Sequence, residues 1–303
     1  PQEIYEIGAF LQYTDSWASE RLFPNFSIRM DKNQYFSTRV TPRFSIVYSV
    51  NDSNEKFLRA SAQTAFRFPS VVDQWTDLFV APVNVVGGQK VLQDIYNLHD
   101  GNIYALDGNN PVLSKPILTN EFNIPNLGPE QVTAFEVGYK GLYNDKRILF
   151  DGYFFYNNYN GFLASQLLAQ NPNTPDEKRF ITTISLDQSV SSYGWAMGLD
   201  YRMINNFELS TNVSYNDVNT VMEPGFQIQF NTPDYRYNIS FGNRKITRNL
   251  GFNINYRWQN SFLWESSFGV GTIPQIHNLD CLLYTSDAAD EGLGVDLGGR
   301  RII

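Results

Sequence analysis

Residues 234–258 restrict the fold more than any other stretch. Tyr235, Tyr237, Ile239 and Phe241 alternate with Arg236, Asn238, Ser240 and Gly242. After a short break, Leu250, Phe252, Ile254, Tyr256 and Trp258 alternate with Gly251, Asn253, Asn255 and Arg257. Strand side chains point to opposite faces at every other residue, so each segment has one apolar face and one polar face. The apolar faces are long and carry Tyr or Trp at their ends, as in a strand with lipid on one side and a wet lumen on the other. A half-buried strand of a soluble β-sandwich has the same period, so the hairpin by itself leaves both readings open.

Composition narrows the choice. Charged side chains are 18% of the 303 residues, against about 25% in an average soluble domain. Aromatics are 15%, with 23 Phe and 18 Tyr, and aromatic side chains favour strands. A mean hydropathy of −0.33 is compatible with a membrane barrel, because lipid-facing and lumen-facing residues average out along each strand. No run of about 18 apolar residues occurs, so a transmembrane helix is excluded. The formal charge of −8 argues against nucleic acid as a partner, which calls for a basic patch. One Cys and two His are too few for a zinc cluster, a disulfide framework or a Cys–His catalytic pair. The chain opens in a strand-like pattern without a signal segment, and the expectation is a fragment of a longer secreted or outer-membrane protein.

Alternation of the same kind predicts strands near residues 4–13, 25–31, 41–50, 57–66, 132–142, 147–157, 193–203 and 207–215, with Phe10 a misfit on the polar side of the first. An eleventh strand is expected to begin near Ile273. Between the fourth and fifth the pattern stops over residues 67–130, which hold Pro69, Pro82, Pro111, Pro116, Pro125 and Pro129. So long a loop in a compact domain is usually functional. Near its start Val72, Trp75 and Phe79 recur at helical spacing behind Ser70 and Asp73, a capping-box arrangement that predicts a short helix. Residues 158–190 form a second excursion, with a strand extension at 180–186 as one option.

The connections decide between membrane and water. Those after the fifth and seventh strands are short, and those after the fourth, sixth and eighth are long. Segregation of loop length by parity marks an outer-membrane barrel, short ends in the periplasm; a soluble sandwich has no reason for it. Strands of about 9–11 residues also exceed the soluble mode of about 5–6. The expected fold is all-β, an antiparallel transmembrane β-barrel. Eleven strands are an odd count with two open edges, which hydrocarbon does not tolerate, so the barrel is expected to be incomplete.

Glu6-Ile-Gly-Ala-Phe-Leu-Gln12, Thr41-Pro-Arg-Phe-Ser-Ile-Val-Tyr48 and Ala65-Phe-Arg-Phe-Pro-Ser70 occur in that order. Leu127-Gly-Pro-Glu-Gln131, Ala134-Phe-Glu-Val-Gly-Tyr-Lys140, Phe154-Phe-Tyr-Asn-Asn158 and Phe230-Asn-Thr-Pro-Asp234 follow. In order and spacing these pieces resemble the barrel strands of TonB-dependent outer-membrane receptors. The third is similar to the family's Gly-Phe-Arg-Ala-Pro-Ser signature, which precedes a long extracellular loop. The resemblance implies about 11 strands of about 22, residues 1–280 as partial barrel, and residues 67–130 outside the cell. It also implies outer-membrane lipid, a small solute, and the TonB complex as partners, the last through an N-terminal region and plug not included here. No catalytic residue and no cofactor is expected. From Cys281 to Ile303 the alternation breaks, at Asp287-Ala-Ala-Asp-Glu-Gly292 and Gly298-Gly-Arg-Arg301. Residues 281–303 resemble translated sequencing-adapter read-through and are expected to be a non-native tail; a polar loop is the alternative.

Trp75, Phe79, Tyr96 and Tyr104 are the candidate ligand contacts in the long loop, since aromatic rings stack on sugars or aromatic chelates. Packing of the loop against the barrel mouth would use the same residues. His99-Asp-Gly-Asn102 and Asp107-Gly-Asn-Asn110 have oxygen donors at spacings that suit calcium, but Asp-Gly and Gly-Asn are ordinary turn dipeptides and no bidentate Glu follows. Asp200, Arg202, Glu208 and Arg236 share the polar side with Arg59, Glu136 and Lys140, and are read as a mixed-sign lumen wall. The implied function is active import of a scarce solute: siderophore, cobalamin, haem or glycan. A passive outer-membrane channel and a surface β-rich binding protein or adhesin are the alternatives.

Overall fold

The computed structural model describes residues 5–98, 101–108, 110, 112–119, 121–219, 225–266 and 269–285. Its largest element is an 11-stranded sheet. The strands are β1 (Glu6–Thr14), β2 (Leu22–Asn33), β3 (Arg39–Ser49), β4 (Lys56–Arg67), β5 (Glu130–Tyr143), β6 (Ile148–Asn160), β7 (Val190–Arg202), β8 (Phe207–Asn219), β9 (Tyr235–Thr247), β10 (Leu250–Gln259) and β11 (Ile276–Thr285). Each pairs antiparallel with the next, so the sheet is an unbroken meander.

The register lines up the alternating residues across the wall. One row runs Ile46, Ala60, Val137, Phe154, Trp195, Tyr215 and Tyr235. The adjacent row, on the other face, runs Arg59, Gly138, Tyr153, Ala196, Ser214 and Arg236. Among the described residues nothing covers the first face: Val137 is 56% exposed and Phe154 47%. An apolar face of that extent has hydrocarbon, not water, as its matching solvent.

Along one edge of the wall the connections are residues 15–21, 50–55, 144–147, 203–206 and 248–249. Along the other they are residues 34–38, 68–129, 161–189, 220–234 and 260–275, all long except the first. The short turns are closed by left-handed Asn144 and Asp145, at φ 51° and 52°, and by Asn205 and Asn206, at φ 57° and 61°. Asn and Asp tolerate that region through local hydrogen bonding.

The wall departs from expectation at its last strand. Ile273 closes a small hairpin of Phe262–Ser266 with Gly269–Ile273, and β11 begins only at Ile276. It then stays in register with β10 through Leu250↔Thr285, past the boundary expected at residue 280. Residues 286–303, with the rest of the expected tail, lie outside the described residues.

The long loop is not structureless. Residues 68–129, 161–189 and 225–228 build a second sheet of seven strands beyond the long-loop edge of the wall. Its centre is the strand Leu163–Gln170, paired antiparallel with Lys178–Ser185 on one side and with Ile103–Asp107 and Phe226–Gln227 on the other. Lys178–Ser185 in turn pairs in parallel with Val83–Val86, Arg179 opposite Val83. The expected strand at 180–186 therefore belongs to this cap and does not extend the wall. Fully buried Phe180, Leu168, Leu98 and Ile103 form one core cluster; Ala164, Ile184, Phe226 and Val190 form another, which reaches Tyr159 of β6 and Val218 of β8. Leu167, Ala169, Leu106, Ile181 and Val83 fill a third. The described hydrophobic core of the molecule thus lies almost entirely in the cap.

Candidate functional site

The cap sits over the end of a polar wall and is tied to it at a few points. Glu130, the first residue of β5, accepts from Arg67 Nη2 of β4 at 3.0 Å and from the Leu163 N–H of the central cap strand at 3.1 Å. Ser185 Oγ accepts from Gly128 N–H at 2.8 Å and donates to Gly128 O at 3.0 Å. These bonds join the entry and exit of both excursions.

The helix α1 (Val71–Trp75) begins as its sequence predicts. Ser70 Oγ accepts from Asp73 N–H at 3.1 Å and Asp73 Oδ2 accepts from Ser70 N–H at 2.8 Å, a complete capping box. It ends at Trp75, where Thr76 turns extended. The polypeptide then runs straight into the strand Asp77–Val80, paired with Val83–Val86. Phe79 is therefore a strand residue, not a helical one: the Leu78-Phe-Val80 run finds a β partner and the helical period is overridden. Gly87 follows at the point of closest approach, where a Cβ would stand 2.3 Å from Gln74 O of α1.

The four aromatic candidates do not converge. Trp75 and Tyr96 pack against the same cluster as Phe180 and Leu98. Trp75 also meets Tyr35 of the 34–38 connection edge-on at 6.1 Å. Tyr96 follows α2 (Lys90–Ile95), lies edge-on to Phe180 at 5.5 Å, and donates its hydroxyl to Asp77 Oδ1 at 2.6 Å. That hydrogen bond, then burial and the carboxylate charge, hold its phenol above the ordinary value. Tyr104 stands on Ile103–Asp107 opposite Ala169, half-buried. Phe79 is 64% exposed. So Trp75 and Tyr96 hold the cap together, and of the four Phe79 is the one displayed to solvent.

The turn reading of the two Gly-containing segments fits the backbone: Gly101 has φ 71° and Gly108 φ 108°, and Asn110 Oδ1 accepts from both Val112 and Leu113 N–H at 2.9 Å. His99, Asp100 and Asn109 lie outside the described residues.

One polar feature escaped the sequence, and of a second the sequence showed Arg59, Glu136 and Lys140 on one polar face but not their pairing with Asp151. At the cap end of β8 and β9, Asn216, Asp217, Phe230, Asn231, Asp234 and Glu265 line a depression of about 470 Å³. Glu265 is buried and accepts from Gln229 N–H at 3.1 Å, while Asn231 Oδ1 accepts from Glu265 N–H at 2.7 Å. On the lumen face, Arg59 Nε reaches Glu136 at 3.2 Å and its Nη1 reaches Asp151 at 2.8 Å, with Lys140 Nζ 3.9 Å from the same carboxylate. The register that brings three strands together here was the missing signal. Asp200, Arg202, Glu208 and Arg236 lie on this same face, Arg202 directly opposite Glu208.

An apolar-outside, polar-inside meander with a folded cap over its long-loop edge is a segment of an outer-membrane β-barrel. Residues 2–285 match the family described as TonB dependent receptor-like, beta-barrel. The chain belongs to the TonB-dependent receptors, a family of the bacterial outer membrane whose members are receptors and transporters and not enzymes. The siderophore receptor PirA from Acinetobacter baumannii superposes with a TM-score of 0.60 at 13% identity, over 93% of this chain and 39% of that one. The copper transporter OprC gives 0.61 at 13% identity, over 94% and 40%. A variant of the ferric enterobactin receptor PfeA from Pseudomonas aeruginosa gives 0.62 at 13%, over 94% and 38%. Likeness at this identity concerns the fold, and the chain spans about two fifths of the length of these structures. No curated protein matches the sequence significantly.

Proposed function

We propose that this chain is the solute-capturing part of the barrel of an importer energised through TonB, taking up a scarce solute across the outer membrane. The observation that carries the reading is the family match over residues 2–285. Supporting it, the cap is a folded body joined to the wall at Glu130 and closed on itself at Ser185, which suits a surface that must hold a shape to select a solute. Coupling to TonB would use a region outside these 303 residues. Among siderophores, cobalamin, haem and glycans, a metal chelate is the first to test, since the similar structures include siderophore receptors and a copper transporter.

Of the proposed contacts Trp75, Phe79, Tyr96 and Tyr104, Phe79 is expected to meet the solute directly, with Trp75 and Tyr96 keeping the cap in shape. The test is uptake by the full-length gene product in cells lacking their own receptors, with and without TonB. Uptake that persists without TonB would return the protein to the passive channels; recovery in the soluble fraction would make it a surface binding protein. Phe79→Ala is expected to weaken solute binding by about 1–2 kcal/mol, read by titration on the purified receptor. An unchanged affinity removes Phe79 from the site.

A further inference from the structure

The lipid-facing side of the wall is not evenly covered. Two outward residues, Ala60 and Gly152, are small where their neighbours in the register are Leu58, Val137, Phe154 and Met197. The gap is a groove of about 710 Å³. Its sides are apolar and include Tyr48, Phe150, Trp195 and Met197. The Phe150 ring leans over Gly152, so that a Cβ there would stand 3.1 Å from Phe150 Cζ. No single strand shows this groove; it exists because the register sets two small residues among large ones.

Just beyond the short-turn end of the groove, next to its lining residues Leu22, Tyr48 and Leu58, stand two cations. Lys56 opens β4 opposite Gly141, two residues before outward Leu58, and its Nζ lies 4.8 Å from the centre of the Tyr143 ring. Among the described residues no carboxylate lies within ion-pair reach of it. Arg21, in the 15–21 turn, lies over the Tyr48 ring at 5.7 Å, donates to Ser49 O and Val50 O, and has Asp52 at 3.5 Å. Of the other carboxylates nearby, Glu55 is taken by Lys146 at 3.6 Å, and Asp145 lines the same depression as Lys56 without an ion pair to it. Cations fixed over aromatic rings at the membrane boundary, above an apolar channel, match a molecule with an anionic head and a hydrocarbon tail.

We propose that this groove binds one phospholipid of the periplasmic leaflet, its phosphate diester on Lys56 with Arg21 beside it, and one acyl chain lying over Ala60 and against the Phe150 ring that covers Gly152. The short turns place the cationic end at the periplasmic boundary, where phospholipid headgroups are found. The outward residues Ala60 and Gly152 lie on the opposite face of the wall from the Arg59–Glu136 ion pair.

The experiment is native mass spectrometry of the full-length receptor, extracted in detergent and titrated with a defined phosphatidylglycerol. The wild type is expected to retain one lipid. Lys56→Glu is expected to weaken retention about tenfold, the loss of one charge-assisted contact, and Lys56→Arg to keep it. Ala60→Leu fills the groove with a side chain as apolar as its neighbours, so the barrel should assemble normally while lipid retention falls. Should Lys56→Glu fail to assemble, Ala60→Leu carries the test. Equal lipid retention in the wild type and Ala60→Leu would overturn the proposal. So would a groove that holds only detergent, or only lipopolysaccharide when both lipids are offered.

Discussion

Wall and cap solve the same problem, burying apolar side chains, with opposite solvents. In the wall Val137 and Phe154 point away from the protein and stay about half exposed; in the cap Phe180 and Leu168 are wholly enclosed by other side chains. The wall therefore relies on lipid to complete it, and each of its residues is stabilised by one face only. The cap has internal cores and obeys the rules of a soluble domain, in which a fully buried large apolar side chain contributes about 1.5–3 kcal/mol. The two regions should fail differently when damaged.

The largest difference is expected from removing a ring. Phe180→Ala empties the centre of the cap cluster formed with Leu98 and Ile103 and should cost about 3–5 kcal/mol. The cap should become protease-sensitive while the wall remains a folded barrel. Phe154→Ala should do much less, because lipid fills the space that a rigid core cannot. Equal proteolysis of the two variants would break the distinction between the regions.

A charge is the reciprocal test. Ile254 and Asn253 are neighbours in β10, but Ile254 pairs with Phe241 on the lipid side while Asn253 accepts from Ser240 Oγ at 3.0 Å on the lumen side. Ile254→Arg should cost about 2–4 kcal/mol near the bilayer midplane and reduce assembly in membranes. Asn253→Arg should be tolerated. Equal assembly at both positions would return this hairpin to water.

The same contrast explains what the sequence could show. Alternation survives in the wall because each strand has one face in lipid and one in a wet lumen, so hydrophobic period and fold period coincide. It fails in Leu163–Gln170, which reads Leu-Ala-Ser-Gln-Leu-Leu-Ala-Gln and is buried on both faces; a strand covered on both sides has no reason to alternate. The parallel pairing of Val83–Val86 with Arg179–Thr182 joins segments far apart in the chain, which no local pattern announces. Ser70 and Asp73 were legible because a capping box is local, whereas Phe79 was not, since its strand partner arrives from the next turn of chain. The groove at Ala60 and Gly152 is legible only through register.

The joint between the regions sharpens the comparison. Glu130 is the acceptor shared by Arg67 of the wall and the Leu163 N–H of the cap. Glu130→Ala leaves that N–H without its partner and should cost about 1–3 kcal/mol. The effect should appear as faster hydrogen exchange in the cap strand Leu163–Gln170, with exchange in β5 and β6 unchanged. Faster exchange throughout the wall would mean that cap and wall unfold as one unit.

The smallest expected effect is titration of a single cap contact. Tyr96 donates to Asp77 at 2.6 Å, and its phenol is raised from the usual value by that bond. A raised folded-state value means that the protonated phenol is preferred in the folded cap. Its contribution is complete below about pH 10, the unfolded value, and is lost as pH rises through the higher folded value. Tyr96→Phe should therefore destabilise the cap by about 0.5–1.5 kcal/mol at neutral pH and flatten its stability above pH 10. Wall strands carry no share in this contact, so barrel stability should not change between the two proteins over that range. A cap stability that falls equally above pH 10 in both would assign the alkaline loss to other groups and leave the Tyr96–Asp77 bond without a measurable role.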